Sequence, residues 1–261
     1  MLSGEGADEL FGGYPSYIGA QVADVYVRQP RFVRGAIGAA VRAMPQSERK
    51  VPLRFLAQRF LSAVDLPGLE RHREWTSSIS SPVMGRLGIA VERSPEADAG
   101  AILDVVQRFD LEVTLAEGLL TKSDRGGMSS AIEIRSPFLD RDVLEFAASL
   151  RREDRVGRLM TKRFLKRYAE RYLPGAIVHR RKRGLSVPLA RWLRGPLEAW
   201  ARKRLRAGRL AETGLDSASV LGLFDEHQAA RADHARALWT LLVLDVWLEW
   251  ASQLGREASR A

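Results

Sequence analysis

Residues 3–14 read Ser-Gly-Glu-Gly-Ala-Asp-Glu-Leu-Phe-Gly-Gly-Tyr, and no other stretch of the chain gathers as many groups able to do chemistry. Glycines flank a carboxylate at Glu5, and a carboxylate pair, Asp8 and Glu9, follows. Gly4 and Gly6 are expected to let the backbone take positive φ and come close to a ligand. Amide N–H groups exposed in such a turn, ahead of a helix start, suit phosphate oxygens. Bare carboxylates repel phosphate, so carboxylates in that setting point to a cation or a general base. Asp8 therefore reads as a Mg²⁺ ligand beside a nucleotide, and Glu5 as a base or a positioning group. The plainer alternative is a glycine-rich turn whose Asp8 and Glu9 complement the positive end of a helix.

Three further stretches carry candidate chemistry. Residues 119–125 read Leu-Leu-Thr-Lys-Ser-Asp-Arg and residues 133–140 read Glu-Ile-Arg-Ser-Pro-Phe-Leu-Asp. Residues 173–188 read Leu-Pro-Gly-Ala-Ile-Val-His-Arg-Arg-Lys-Arg-Gly-Leu-Ser-Val-Pro. With the opening segment, these stretches resemble, in order, the signatures of the asparagine synthetase family, amide-forming ligases built on an ATP-pyrophosphatase domain. The resemblance covers most of the chain and thins after about Leu210, where only Leu238-Trp239 and Trp247 match.

The resemblance implies a mainly α fold, the helical C-terminal portion of an α/β adenine-nucleotide synthetase domain of the HUP type. It also implies an activity: aspartate is converted to asparagine through β-aspartyl-AMP, with ATP and Mg²⁺ and with ammonia drawn from glutamine. It puts nucleotide contacts at Ser3 and Gly4, with Gly6 completing the turn, and the metal ligand at Asp8. Glu5 matches a residue important for the adenylate, and Lys182 the family's essential lysine. Asp124 matches a carboxylate near the reaction centre, and Arg125 beside it is able to hold a carboxylate bidentately. Without the resemblance, Lys182 is one member of a solvated basic cluster, and Asp124 is equally a helix cap paired to Arg125. Glu133 and Arg135 read as a buried ion pair below the site. Two departures from the family pattern are mild: Leu185 stands where Phe is usual, and Gly126-Gly127 where a larger residue is common.

The family's glutaminase domain opens on a cysteine nucleophile, and these 261 residues contain no cysteine. A thiolate cannot release ammonia from glutamine here. The family's Ser-Gly-Gly-x-Asp-Ser pyrophosphate loop is also missing from the sequence. The chain is therefore expected to be the C-terminal half of a synthetase domain, truncated or split, with the N-terminal half or a second copy as partner. Met1-Leu2 reads as the tail of a strand feeding the turn. Relatives that adenylate another carboxylate, in polysaccharide or lasso-peptide modification, are the nearest enzyme alternative. An inactive remnant serving as a binding module is the alternative of a different class. Glu5 argues against β-lactam synthetases, which resemble this family but place tyrosine at that position.

The net charge of +9 comes from 41 basic and 32 acidic residues. Such a balance suggests nucleic acid first, but no aromatic–basic alternation or recognition-helix pattern accompanies it, so no nucleic-acid partner is expected. The longest apolar run, Ala237 to Trp250, is interrupted by Asp245 and Glu249 and is too short to span a bilayer. A cytoplasmic location is the default. The four histidines show no metal-ligand spacing.

The positioning elements read as helices. Tyr14 to Arg42 divides in two at Pro30, and Leu53, Leu56, Ala57, Phe60 and Leu61 share one helical face. Residues 76–100 read as loop or short helices around a hinge. Ala101 to Thr121 is helical, with Asp110 capping the helix that follows. Asp140 is an N-cap, Lys162 to Tyr172 a helix, and Pro196 the first residue of another. Leu238 to Trp250, apolar nearly all round, reads as a buried helix, with the tryptophans in the core. Residues 1–100 hold the turn and its following helices, 101–210 the helical region with the other motifs, and 211–261 the C-terminal helices.

Overall fold

Apolar residues at helical spacing, punctuated by Pro and Gly, produce a succession of helices in a computed structural model that describes residues 1–44, 53–91, 100–157, 159–180 and 187–258. Among the described residues there is no strand, only isolated bridges such as the parallel pair Leu2–Arg135. The mainly helical expectation holds for them. Contacts divide the chain into two units. One takes Met1–Thr76 with Pro95–Arg183, the other Ser77–Ser94 with Gly184–Ala261.

The first unit contains α1 (Ala7–Phe11), α2 (Pro15–Val27), α3 (Arg31–Ala43), α4 (Leu53–Ala63) and α5 (Gly68–Thr76). Pro15 opens α2 at its first turn, where a missing N–H costs nothing, and Pro30 separates α2 from α3. The short helix α6 (Ser81–Arg86) belongs to the second unit. In the first unit, α7 (Ile102–Phe109) runs without a break into a π-helical segment, Asp110–Leu120, and on into α8 (Thr121–Met128). Then come α9 (Arg141–Ser149), α10 (Arg152–Arg155), α11 (Arg163–Ala169) and α12 (Gly175–Val178). Asp140 caps α9 as expected, accepting a hydrogen bond from the Asp142 amide at 3.0 Å.

Among the described residues two apolar clusters hold this unit. Leu10, Phe11 and Ala147 gather Phe138, Leu144, Phe164 and Leu165 around α1. Tyr17, Leu103, Val106 and Val156 join α2 to α7. Asp110 does not cap a helix. It is buried inside the continuous rod, where it accepts hydrogen bonds from Tyr17 Oη at 2.7 Å and Thr114 Oγ1 at 2.7 Å, with His72 Nε2 at 3.0 Å. Burial alone raises a carboxyl pKa, but the contacts from His72, Tyr17 and Thr114 outweigh it and hold Asp110 below its ordinary value.

The second unit contains α6, α13 (Leu189–Arg194), α14 (Glu198–Arg206), α15 (Ser217–Gln228) and α16 (Ala235–Ala258) around Leu193, Leu205, Leu223, Phe224, Leu238 and Leu242. Pro196 does not open α14; it lies in the turn before Leu197, the residue that flanks the helix. The charge that interrupts the apolar run of α16 has a local reason: Asp245 is fully buried and meets Arg204 Nε at 2.5 Å and Arg209 Nε at 2.9 Å. Nor is α16 buried all round, since Trp239, Trp247 and Trp250 are exposed, as is Trp200 on α14. No helix among the described residues is long and apolar enough to cross a membrane.

Candidate active site

The site lies in the first unit and is built on the opening turn. Ser3 N donates to Arg135 O at 2.8 Å, and Arg135 N donates to Met1 O at 2.8 Å, so the turn leaves a short parallel pairing. Its direction is then reversed into α1 by Gly6, which has φ +88° and which a Cβ would drive into Leu139. Gly4 is different. It does not have positive φ, and a Cβ there would meet open space, so the expectation of a left-handed residue at Gly4 is corrected.

Ser3 Oγ accepts a hydrogen bond from Glu5 N at 3.1 Å and lies 3.4 Å from Ser136 Oγ. The Glu5 carboxylate is gripped on one oxygen only. Ser123 Oγ donates to Oε1 at 2.5 Å, and Lys122 Nζ approaches the same atom at 3.2 Å. Oε2 is buried with no hydrogen-bond partner among the described residues. Such an orphaned acceptor is costly unless a ligand or a proton meets it.

Asp8, one turn along, faces Lys162, whose Nζ lies 3.1 Å from Asp8 Oδ1. Lys162 takes a left-handed conformation (φ +52°) immediately before α11, and its amide donates to Gly12 O at 3.1 Å. Gly13 completes the arrangement, because a Cβ at that position would overlap Asp8 Oδ1 and Lys162 Cε. Glu9 serves the interior instead. It is buried, accepts a hydrogen bond from Tyr14 Oη at 2.5 Å, and its backbone carbonyl accepts from Gln107 Nε2 at 2.6 Å. Burial pushes its carboxyl pKa up despite the Tyr14 hydrogen bond.

Ser3, Gly4, Glu5, Gly6 and Asp8 thus share one turn and the start of one helix. Asp124 and Arg125 lie on α8, the helix that delivers Lys122 and Ser123 to Glu5, and both are exposed. Asp124 is not a helix cap: the residue flanking α8 is Leu120, itself helical because the rod is continuous. Glu133 and Arg135 do pair, at 2.5 Å, but on the surface rather than in the interior. Lys182 lies outside the described residues. The sequence alone does not distinguish Lys122, Ser123 or Lys162: the first two stand beside Asp124 in the 119–125 stretch, and Lys162 marks only a helix start.

The arrangement sets two ammonium groups against two carboxylates around a glycine turn. Among the described residues no group of three or more His, Cys, Asp or Glu gathers to cage a metal. A single carboxylate such as Asp8 suits a Mg²⁺ that arrives with phosphate and keeps most of its water, and it already draws a cation. Mg²⁺ therefore fits Asp8 in the phosphate-bound mode.

Comparison with known proteins follows the same residues. The sequence pattern described as asparagine synthase matches residues 1–249. A Mycobacterium tuberculosis protein, provisionally named as an asparagine synthetase (glutamine-hydrolyzing), is 31% identical over 264 residues, covering 95% of this chain and 38% of that protein. The same figures hold for its Mycobacterium bovis counterpart. Asparagine synthetase (glutamine-hydrolyzing) 1 of Bacillus subtilis is 26% identical over 253 residues, covering 94% of this chain and 39% of that protein. The chain thus spans well under half the length of these relatives. No solved structure matches it.

Proposed function

The chain belongs to the asparagine synthase family, and from that premise we propose that it forms the carboxylate-activating side of an ATP-dependent amide ligase acting on aspartate. The carrying observation is Glu5, held on Oε1 by Ser123 and Lys122 while Oε2 stays buried without a hydrogen-bond partner among the described residues. In the proposed reaction a carboxylate oxygen of aspartate attacks the α-phosphorus of ATP, and pyrophosphate leaves. Ammonia then attacks the activated carbonyl carbon and AMP leaves. Ser3, Gly4 and Gly6 shape the turn against the nucleotide. Glu5 positions the substrate for adenylation, and its Oε2 then accepts the proton that ammonia sheds. Lys162 and Lys182 supply positive charge toward the phosphates, and Asp124 and Arg125 line the carboxylate side. Mg²⁺, held by Asp8, would neutralise charge on the departing pyrophosphate. These residues hold no cysteine, so ammonia released from glutamine by a thiolate reaches the site from another polypeptide segment. The adenine-nucleotide fold of the HUP type is part of the same proposal, as is a cytoplasmic setting.

The test uses the chain completed with the N-terminal half of the synthetase domain, and aspartate labelled with heavy oxygen in its side-chain carboxylate, together with Mg-ATP and ammonium. The expected products are asparagine, pyrophosphate and AMP carrying the label. ADP and labelled orthophosphate would instead mean phosphoryl activation and overturn the adenylation chemistry.

A further inference from the structure

A helix on the surface of a globular unit normally turns its apolar stripe to the core. The amphipathic helix α3 does not. It packs on α4, and its buried residues are Gly38 and Val41. Arg34, on the same side, meets Asp65 and lies over the Tyr26 ring at 5.3 Å. The remaining apolar residues face solvent: Phe32 is 78% exposed and Ile37 39%, and Ala36, Ala39, Ala40 and Ala43 are exposed with them. At about 100° per residue, Arg31 and Arg42 fall at one edge of this arc, and both are exposed. At the corner between α2 and α3, Val25 and Val27 add exposed apolar surface, at 62 and 37%, beside Arg28. From Val25 to Ser47 the sequence has four arginines and no acid, although acids make up 32 of the 261 residues. We propose that this face docks on an anionic lipid bilayer, with α3 lying in the plane of the headgroups and Phe32 and Ile37 turned toward the acyl chains.

The chemistry of the face selects that occupant. A nucleic acid would engage the arginines and leave Phe32 and Ile37 in water. A protein groove wraps a helix, and α4 already closes one side of α3. A planar boundary, negative outside and apolar within, meets both halves of the face at once. With 13 residues, α3 is about 20 Å long at ~1.5 Å per residue, so it lies on a bilayer and does not cross it. The acids nearest to the face are engaged: Asp24 pairs with Arg71 and Asp65 with Arg34. Among the described residues no ion pair takes up Arg28, Arg31 or Arg42, which leaves three cations for lipid phosphates. Each arginine near an anionic surface raises partitioning about fivefold, so three raise it roughly 100-fold over a neutral surface. Burying Phe32 adds about tenfold. Such binding is reversible and weakens with salt.

Flotation of the 261-residue chain with vesicles of phosphatidylcholine, alone or with about a third phosphatidylglycerol, tests the proposal. Binding to the anionic vesicles is expected at low salt and should be lost at ~1 M salt. A chain of net charge +9 is drawn to any anionic surface, so the docking face is identified by comparing variants. Arg28→Ser/Arg31→Ser/Arg42→Ser should lower partitioning roughly 100-fold and Phe32→Ser about tenfold. Lys203→Ser/Arg206→Ser/Arg236→Ser removes the same charge from exposed positions of the second unit and should lower it about threefold or less. All seven positions are exposed, so helical circular dichroism should stay unchanged. Because the chain has no cysteine, single introduced thiols locate the contact directly. An environment-sensitive fluorophore on Ala36→Cys should shift to the blue with anionic vesicles, and one on Val113→Cys, exposed in the π-helical segment, should not. Equal losses in the two triple variants overturn the proposal, as does binding indifferent to Phe32→Ser or a label at residue 36 that ignores the vesicles. A label there that is already blue-shifted in vesicle-free buffer means that protein covers the face, and overturns it as well.

Discussion

Lys162 Nζ approaches Asp8 Oδ1 to 3.1 Å across a residue that has no side chain, Gly13. The two ends of this contact come from different elements. Asp8 lies in the first turn of α1, and Lys162 precedes α11 in a left-handed conformation. Gly13 is therefore a spacing element: it lets a cation from elsewhere in the chain reach the carboxylate proposed to hold Mg²⁺.

Substituting Gly13 by Ala should separate Asp8 from Lys162 and cost about 1–3 kcal/mol, the usual penalty for added volume in a filled space. Urea denaturation of the two proteins measures the cost. An unchanged midpoint would show that the Asp8 and Lys162 side chains part freely.

Asp8→Asn and Glu5→Gln should fail in different ways. Asp8→Asn is expected to raise the Mg²⁺ needed for half-maximal pyrophosphate release. Glu5→Gln should leave that requirement nearly unchanged and lower the rate. Metal titrations of both variants decide it, and an unaltered Mg²⁺ dependence at near-normal rate in Asp8→Asn would remove the metal role.

Ser123 and Lys122 grip the same oxygen of Glu5 but are not equivalent. The Lys122 side chain is largely exposed, so water and salt screen it. Ser123→Ala should lower the adenylation rate by about 10- to 100-fold through misplacement of Glu5, and Lys122→Met by roughly threefold or less. Pyrophosphate release from the two variants gives the comparison, with Ser123→Thr expected to restore most of the loss.

Asp110 and Glu9 should make stability depend on pH with opposite signs. The Asp110 pKa is held below its ordinary value, so its contribution is present above about pH 4 and is lost as pH falls through the folded-state pKa. The Glu9 pKa is raised, so its contribution is full below about pH 4.5 and fades as pH rises through the folded-state pKa. Glu9→Gln should therefore gain stability relative to the parent protein between acid and neutral pH. Asp110→Asn should lose its disadvantage in acid. Thermal midpoints at pH 3, 5 and 7.5 test both, and parallel curves for parent and variants would contradict them.

What the sequence disclosed was local. The opening turn was legible because its glycines and carboxylates are neighbours, and the break at Pro30 and the cap at Asp140 follow from single residues with strong backbone preferences. What it concealed depended on distant partners. Asp110 follows an apolar helical stripe and resembles a cap until Tyr17 and His72 are brought against it from α2 and α5. Lys162 has no distinguishing neighbours, and its role comes from a contact with α1. The apolar composition of α16 gave its helical state but not which side the rest of its unit covers.

The unbroken rod from Ile102 to Met128 has a consequence for which changes the chain tolerates. Asp110 is anchored at one point along it and Ser123 at another, and the wide turns between them set the angle at which each side chain leaves the axis. Exchanging an exposed residue such as Val113 or Glu117 leaves that angle alone. Removing or adding one residue turns everything beyond it by roughly a quarter turn, and Ser123 would then swing away from Glu5 while Asp110 stayed in place. Between these two anchors the chain is free to vary in spelling but not in length.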